Sequence, residues 1–371
     1  MIRVLSIFGT RPETIKMAPL LREFERRGSF RSLVCVTAQH RELLDRALGF
    51  FQISPDFDLD LMRPSQSLTA FTSAALTALE AVLRETAPDL VLVHGDTSTA
   101  LAGALAAFYA RVPLGHVEAG LRSGDKHSPF PEEANRRLVD ALSDLHFAPT
   151  ALNRDNLLRE GVPGERVFVT GNTVVDALGF TVRSDFTHPA LDWALAGERF
   201  ALLTAHRRES WGEPLRGVFR AVRRAAEHFD GLRVLCSVHP NPAVRGDALS
   251  LLSGCENTRL LEPPPDVFTF HNLLARADLV LSDSGGVQEE STALGVPTLV
   301  LRERTERPEG LEAGVLRLVG TLEEPVYVEL CRLLTDGAAL EAMRDTPNPY
   351  GDGRASERIA EAIEAVWRER T

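Results

Sequence analysis

Residues 278–301, DLVLSDSGGVQEESTALGVPTLVL, decide the fold. Leu279 to Leu281 are a short apolar run that stops at Ser282-Asp283-Ser284-Gly285-Gly286, a helical pattern follows, and Thr298 to Leu301 form a second apolar run. Strand, glycine turn, short helix and strand make one unit of a parallel α/β sheet. The two glycines let the backbone approach a ligand and aim N–H groups at phosphate. A helix starting near Val287 turns its positive end to the same spot, so the stretch reads as a nucleotide site. Glu289 and Glu290 lie one turn in, where a carboxylate, with two acceptor oxygens and no donor, can take both hydroxyls of a ribose. First-turn acids also complement a helix dipole, and these two glutamates fit that plainer role as well.

Outward from this stretch the pattern repeats along the chain. Apolar, β-rich runs at 3–8, 32–37, 90–93, 114–117, 145–147 and 167–169 alternate with helical patterns, and a second series follows at 200–204, 233–237, 258–261, 279–281, 298–301 and 316–319. A polar stretch at 181–198 separates the two series. The expected architecture is α/β: two doubly wound domains facing each other across a cleft, with ligands at the carboxyl ends of the strands. At 354–370, Ile359, Ile363, Val366 and Trp367 share one helical face, so the closing helix packs on one domain or bridges both.

Composition narrows the partners. A chain of 371 residues with 44% hydrophobic and 25% charged residues has the make-up of a soluble globular protein with room for two cores. A net charge of -11 argues against nucleic acid or an anionic membrane as partner, so an anionic ligand must be met by local donors. Lys16 stands out, because Lys126 is the only other lysine. Cys35, Cys236, Cys255 and Cys331 are far apart, without a CxxC pair, which fits free thiols in a reducing cytosol. MIRVLSIFG at 1–9 reads as a first strand rather than a signal peptide, and no apolar run approaches the roughly 20 residues that span a bilayer.

Polar residues gather just after the strands. Gly9-Thr10-Arg11-Pro12-Glu13 follows the first, with Pro12 suited to a first helical position and Lys16 one turn on, so that Arg11 and Lys16 can reach a phosphate. Thr37-Ala38-Gln39-His40 has the matching place after the second. His94-Gly95-Asp96 and His116-Val117-Glu118 put acids at strand ends. In Pro129 to Arg137, Glu132 and Arg136 are four apart, as are Glu133 and Arg137, and two surface ion pairs would be worth about 0.3 to 0.5 kcal/mol each. Closeness to Asp96 and Glu118 in strand order favours a catalytic set instead. In the second half His206 and His239 follow successive strands. No ligand spacing of the HxxxH kind supports a metal, no GxSxG a covalent nucleophile, and no GxGxxG a bound nicotinamide.

Taken together, GTRPE at 9–13, KMAPL at 16–20, HGDTST at 94–99, HVEAGLRSGD at 116–125, PFPEEANRR at 129–137, GNTVVDAL at 171–178, AHRRES at 205–210, DSGGVQEE at 283–290 and TERPEG at 305–310 resemble the non-hydrolysing UDP-N-acetylglucosamine 2-epimerase family over nearly the whole chain. The resemblance implies a GT-B-like fold. It places an N-terminal Rossmann-like domain with the catalytic acids at 1–178, joined by the helix 354–371, and a UDP-binding Rossmann-like domain at 179–353. It also implies a cytoplasmic homodimer that interconverts UDP-GlcNAc and UDP-ManNAc for surface polysaccharide synthesis, with no cofactor or metal. Asp96, Glu118, Glu132, Arg136 and His206 match the family's catalytic set. Arg11, Lys16, Ser284, Gly285, Gly286 and Arg307 match its UDP site, with Glu290 on the ribose and Phe270 by the uracil. Gln39, His40, Arg207 and His239 match a second site at which UDP-GlcNAc activates. Two departures are Pro263-Pro264-Pro265 near the uracil and Ser65, where some members carry an arginine at the activator site.

The chemistry points the same way. The C2 hydrogen of the sugar is not next to a carbonyl, so a workable route expels UDP to leave 2-acetamidoglucal and then adds it back. Expulsion calls for Arg11, Lys16, Arg136 or His206 to stabilise charge on the diphosphate. Inversion calls for a proton taken from one face and delivered to the other, which Asp96, Glu118 and Glu132 can share, with base and acid unassigned. Domain closure would hold the pieces together. A hydrolysing epimerase, a GT-B glycosyltransferase and a nucleotide-sugar sensor are the competing readings.

Overall fold

The structure, a computed structural model, describes every residue except Gln39, His40, Pro64, Arg208, Glu209 and Thr371, and the side chains of Glu42, Leu43 and Arg370 are likewise outside the description. The chain divides into two compact units, Met1–Ala177 with Tyr350–Thr371, and Leu178–Pro349.

In the first unit the described strands are β1 (Ile2–Phe8), β2 (Phe30–Val36), β3 (Phe57–Asp58), β4 (Leu90–His94), β5 (Leu114–Val117), β6 (Leu145–Ala148) and β7 (Val167–Val169). They form one parallel sheet in the order β3-β2-β1-β4-β5-β6-β7. All six expected strands are present within two residues at each end. The two-residue β3 is an addition, too short to carry a period of its own. At the centre of the sheet, where helices cover both faces, every residue of β4 is buried. The helix Ala355–Arg370 packs Ile359, Ala360 and Ile363 into the core of this unit with Phe8, Met17 and Leu20.

The second unit holds β8 (Arg199–Thr204), β9 (Leu232–Ser237), β10 (Thr258–Leu261), β11 (Leu279–Ser282), β12 (Thr298–Val300) and β13 (Leu316–Leu318), parallel in the order β10-β9-β8-β11-β12-β13. The polar stretch at 181–198 is not a bare linker: the helix Pro189–Leu195 lies in it and buries Ala190, Leu191 and Ala194 in the core of this unit. No described helix is long and apolar enough to cross a membrane.

Both sheets reverse their strand order once, at β1 beside β4 and at β8 beside β11. Ligands of open α/β sheets bind outside the strand ends at that reversal, because the crossovers leave to opposite faces and open a crevice. The loops after β1 and β4, and after β8 and β11, are therefore where chemistry is expected.

Candidate active site

The first unit's switch point is built around two glutamates, Glu13, which is buried, and Glu118, which is half-buried. Helix Arg11–Arg26 starts with a capping box: Thr10 caps the backbone of Glu13, and the Glu13 carboxylate returns to the N–H of Thr10 at 2.8 Å and of Gly9 at 3.0 Å. Its other oxygen accepts from the Thr97 hydroxyl at 2.6 Å, so one side chain ties the loop after β1 to the loop after β4. Gly9 is required there, since a Cβ would lie 2.0 Å from the Thr37 hydroxyl oxygen. Thr97 in turn caps the helix Ser98–Tyr109.

This frame fixes Lys16 one turn into its helix, where it is buried and ion-paired with Glu118. Glu118 follows β5 in left-handed backbone, φ 70°, which a side chain other than glycine adopts at a cost typical of functional sites. Asn172 donates to the same Glu118 oxygen at 2.9 Å, and the His94 ring nitrogen Nε2 lies 3.7 Å from it. Asp96 is held twice: the Arg136 guanidinium bonds its carboxylate, and the Asn135 side chain donates to its carbonyl at 2.8 Å. Arg136 is buried and also donates to buried Glu133 at 3.2 Å, while Arg137 reaches Glu133 at 2.9 Å. The plainer reading of two surface ion pairs gives way to the catalytic set: Arg137 does pair with Glu133, but Arg136 shares Glu133 and spends its other end on Asp96. Glu132 opens the same helix, Glu132–Leu142.

Beneath these groups runs a buried relay. His116 bonds Asp140 through Nδ1 at 2.6 Å and the Gly95 carbonyl through Nε2 at 2.8 Å, and Arg122 pairs with Asp140 at 2.8 Å. Burial pushes the Asp140 carboxyl up, but the nearby His116 and Arg122 hold it below the usual value. The relay fixes Gly95, and with it the turn carrying Asp96.

In the second unit the stretch 278–301 corrects its own reading in one respect. The helix is Gly285–Ala293 with Ser284 as N-cap, two residues earlier than expected, and neither glycine has positive φ. Gly285 makes room: a Cβ on it would lie 2.7 Å from the Arg307 guanidinium carbon. The Ser284 side chain makes no capping hydrogen bond, so the helix start presents its first N–H groups without that acceptor. Glu289, one of the two ribose candidates, is buried and pairs with Arg307 at 3.0 Å. Glu290 lies 3.5 Å from His271 Nε2, and His271 Nδ1 bonds the Thr181 hydroxyl at 2.7 Å. Phe270 precedes His271 in the helix Val267–Leu274 and is half-buried.

Asp283, buried at the end of β11, accepts the backbone N–H of His206 and of Arg207, each at 2.8 Å. The loop after β8 is thus pinned to β11, and the His206 ring stacks on His239, centroids 5.2 Å apart and planes 10° from parallel. Arg207 lies 3.8 Å from Glu306, which also meets Arg307 at 3.2 Å and Arg302 at 2.7 Å. Burial raises the Glu306 carboxyl, yet the three arginines outweigh it and hold it at about 2.

Of the expected site residues, Lys16, Asp96, Glu118 and Arg136 join one cluster in the first unit, with Arg11 and Glu132 at the starts of the helices that supply it. His206, Arg207, His239, Ser284, Gly285, Gly286, Glu290, Phe270 and Arg307 belong to the second unit. Gln39 and His40 lie outside the described residues. Glu13, His94, Asn172, Asp140, Asp283, His271 and Glu306 escaped the sequence reading. Five of them, Glu13, His94, Asn172, Asp283 and Glu306, stood inside a quoted motif, a signal that was available.

Two Rossmann-like parallel sheets, each carrying its polar residues at the strand-order reversal, place the chain in the GT-B-like class of α/β proteins. The family model described as UDP-N-acetylglucosamine 2-epimerase matches residues 22–364, and the chain belongs to that family. It is 51% identical to the UDP-N-acetylglucosamine 2-epimerase of Bacillus subtilis over 98% of this chain and 95% of that protein. Among solved structures it is similar to MnaA of Staphylococcus aureus in complex with UDP, TM-score 0.94 and 48% identity over 99% of this chain and 97% of that one. It is similar also to the UDP-GlcNAc 2-epimerase of Neisseria meningitidis bound to UDP-GlcNAc, TM-score 0.93 and 43% identity over 98% and 100%.

Proposed function

We propose that the chain interconverts UDP-GlcNAc and UDP-ManNAc by inverting C2, without net hydrolysis. The observation that carries this is the pair of carboxylates at the first switch point, Glu118 and Asp96, each held by its own cation, Lys16 and Arg136. The relatives crystallised with UDP and with UDP-GlcNAc supply the substrate class.

In this reading the second unit holds UDP. Ser284, Gly285, Gly286 and Arg307 meet the diphosphate at the helix start, Glu290 takes the ribose hydroxyls and Phe270 the uracil. One carboxylate of the set Asp96, Glu118 and Glu132 removes the proton from C2 as the bond from C1 to the diphosphate oxygen breaks. The electron pair becomes the C1–C2 double bond of 2-acetamidoglucal, and UDP leaves with its charge met by Arg11, Lys16, Arg136 and His206. A proton delivered to the other face of C2 and attack by UDP at C1 complete the inversion. No metal or nicotinamide enters. The same reading extends to a cytoplasmic homodimer that feeds surface polysaccharide synthesis and is activated by UDP-GlcNAc through Gln39, His40, Arg207 and His239. The domains carrying these roles are 1–178 with 354–371, and 179–353.

The test is NMR of the purified protein with UDP-GlcNAc. The expected outcome is an equilibrium with UDP-ManNAc. Equal accumulation of UDP and free ManNAc would replace it with the hydrolysing reaction, and transfer to an added acceptor without C2 inversion would replace it with a glycosyltransferase.

A further inference from the structure

His94 ends β4 with 4% of its surface exposed, and neither ring nitrogen makes a hydrogen bond among the described residues. The other buried histidines of this unit are held: His116 by Asp140 and the Gly95 carbonyl, and His146 by the Asp140 carbonyl at 2.9 Å. A buried polar group without a partner destabilises a fold, and an apolar side chain of similar size would fill the same space without that loss. Such exceptions concentrate where function demands them.

The His94 ring is aimed at the site. Its Nε2 lies 3.7 Å from the Glu118 oxygen that Lys16 and Asn172 already occupy, just outside bonding distance. Lys16 is also the cation assigned to the diphosphate, and it cannot fully serve both anions at once. If it turns toward the leaving group, Glu118 loses this cation, and a shift of under about 1 Å brings His94 Nε2 into hydrogen-bond range. We propose that His94 is a positioning residue that donates to Glu118 and keeps it aimed while Lys16 is engaged by the diphosphate. The inference rests on the epimerase reading and deepens it.

The ionisation of the ring agrees. Burial pushes His94 down to about 4, with Lys16 and His116 adding to the effect and Glu118 and Asp96 opposing it. At neutral pH the ring is neutral, so it carries one N–H and adds no positive charge beside Lys16.

Two variants test this. His94→Leu removes the donor, and His94→Gln keeps an N–H on a side chain of similar reach. The expected result is that His94→Leu melts at or above the wild-type temperature, yet loses roughly tenfold or more in kcat with KM for UDP-GlcNAc little changed. His94→Gln should recover most of that loss. Wild-type kcat in His94→Leu overturns the proposal, as does a loss that follows lowered thermal stability in both variants, or a His94→Gln no better than His94→Leu. An assay in which the wild-type protein too forms no UDP-ManNAc overturns the epimerase reading and this inference with it. An active wild type beside an indifferent His94→Leu overturns this inference alone.

Discussion

Glu118 carries the greatest burden at the scale of single residues. Its backbone is left-handed at φ 70°, a conformation that costs of order 1–3 kcal/mol outside glycine, and its carboxylate is tied to Lys16 and Asn172. Such a residue is held in place by its surroundings rather than by its own preference, which fits a group whose position matters to chemistry. Glu118→Gln keeps the shape and removes the proton acceptor. The expected outcome is a kcat lower by roughly 10²- to 10⁴-fold, with UDP still bound by calorimetry through the contacts proposed for the second unit. A variant that keeps its turnover would take Glu118 out of the proton-transfer set.

At the scale of elements, the strand-end loops are fastened by buried carboxylates. Asp283→Ala would leave the N–H groups of His206 and Arg207 without their acceptor, each worth roughly 1–3 kcal/mol when buried. It should lower the melting temperature and, by freeing the loop that carries His206, also lower kcat. Glu306 gives a pH signature. Its folded value of about 2 lies below the ordinary 4.5, so its stabilising contribution is present above pH 4.5 and is lost as pH falls toward 2. That contribution is on the order of 3 kcal/mol. Unfolding curves of Glu306→Gln and wild type should therefore differ at pH 7 and converge near pH 2. A gap that stays constant with pH would show that charge is not what Glu306 contributes.

The same elements show what is legible in sequence. Asp96, Glu118, His206 and Ser284 can be picked out because they are contiguous with apolar runs, and strand ends can be read locally. The fasteners cannot, because their meaning lies in pairings between distant segments: Asp140 with His116, 24 residues away, and Glu13 with Thr97, 84 away. Helical spacing alone does not show what Arg136 holds, for the same reason. Its preferred partner, Asp96, is 40 residues off, across two loops of the sheet. The start of the helix at Gly285 was misplaced because two glycines look like a turn, whereas here Gly285 makes room for Arg307.

At the scale of the whole molecule, a chain of net charge -11 with the proposed diphosphate ligand must concentrate its cations locally. Arg302, Arg307 and Arg207 gather on Glu306 in one unit, and Lys16 and Arg136 are each matched with a carboxylate in the other. In the proposed reaction C2 is inverted through loss and return of its proton while UDP is detached. The most direct measurement is turnover of UDP-GlcNAc in D2O, followed by NMR of the recovered sugars. The expected result is UDP-ManNAc with deuterium at C2, and deuterium entering C2 of the UDP-GlcNAc pool as the reaction reverses. Epimerisation that keeps the original hydrogen at C2 would contradict it.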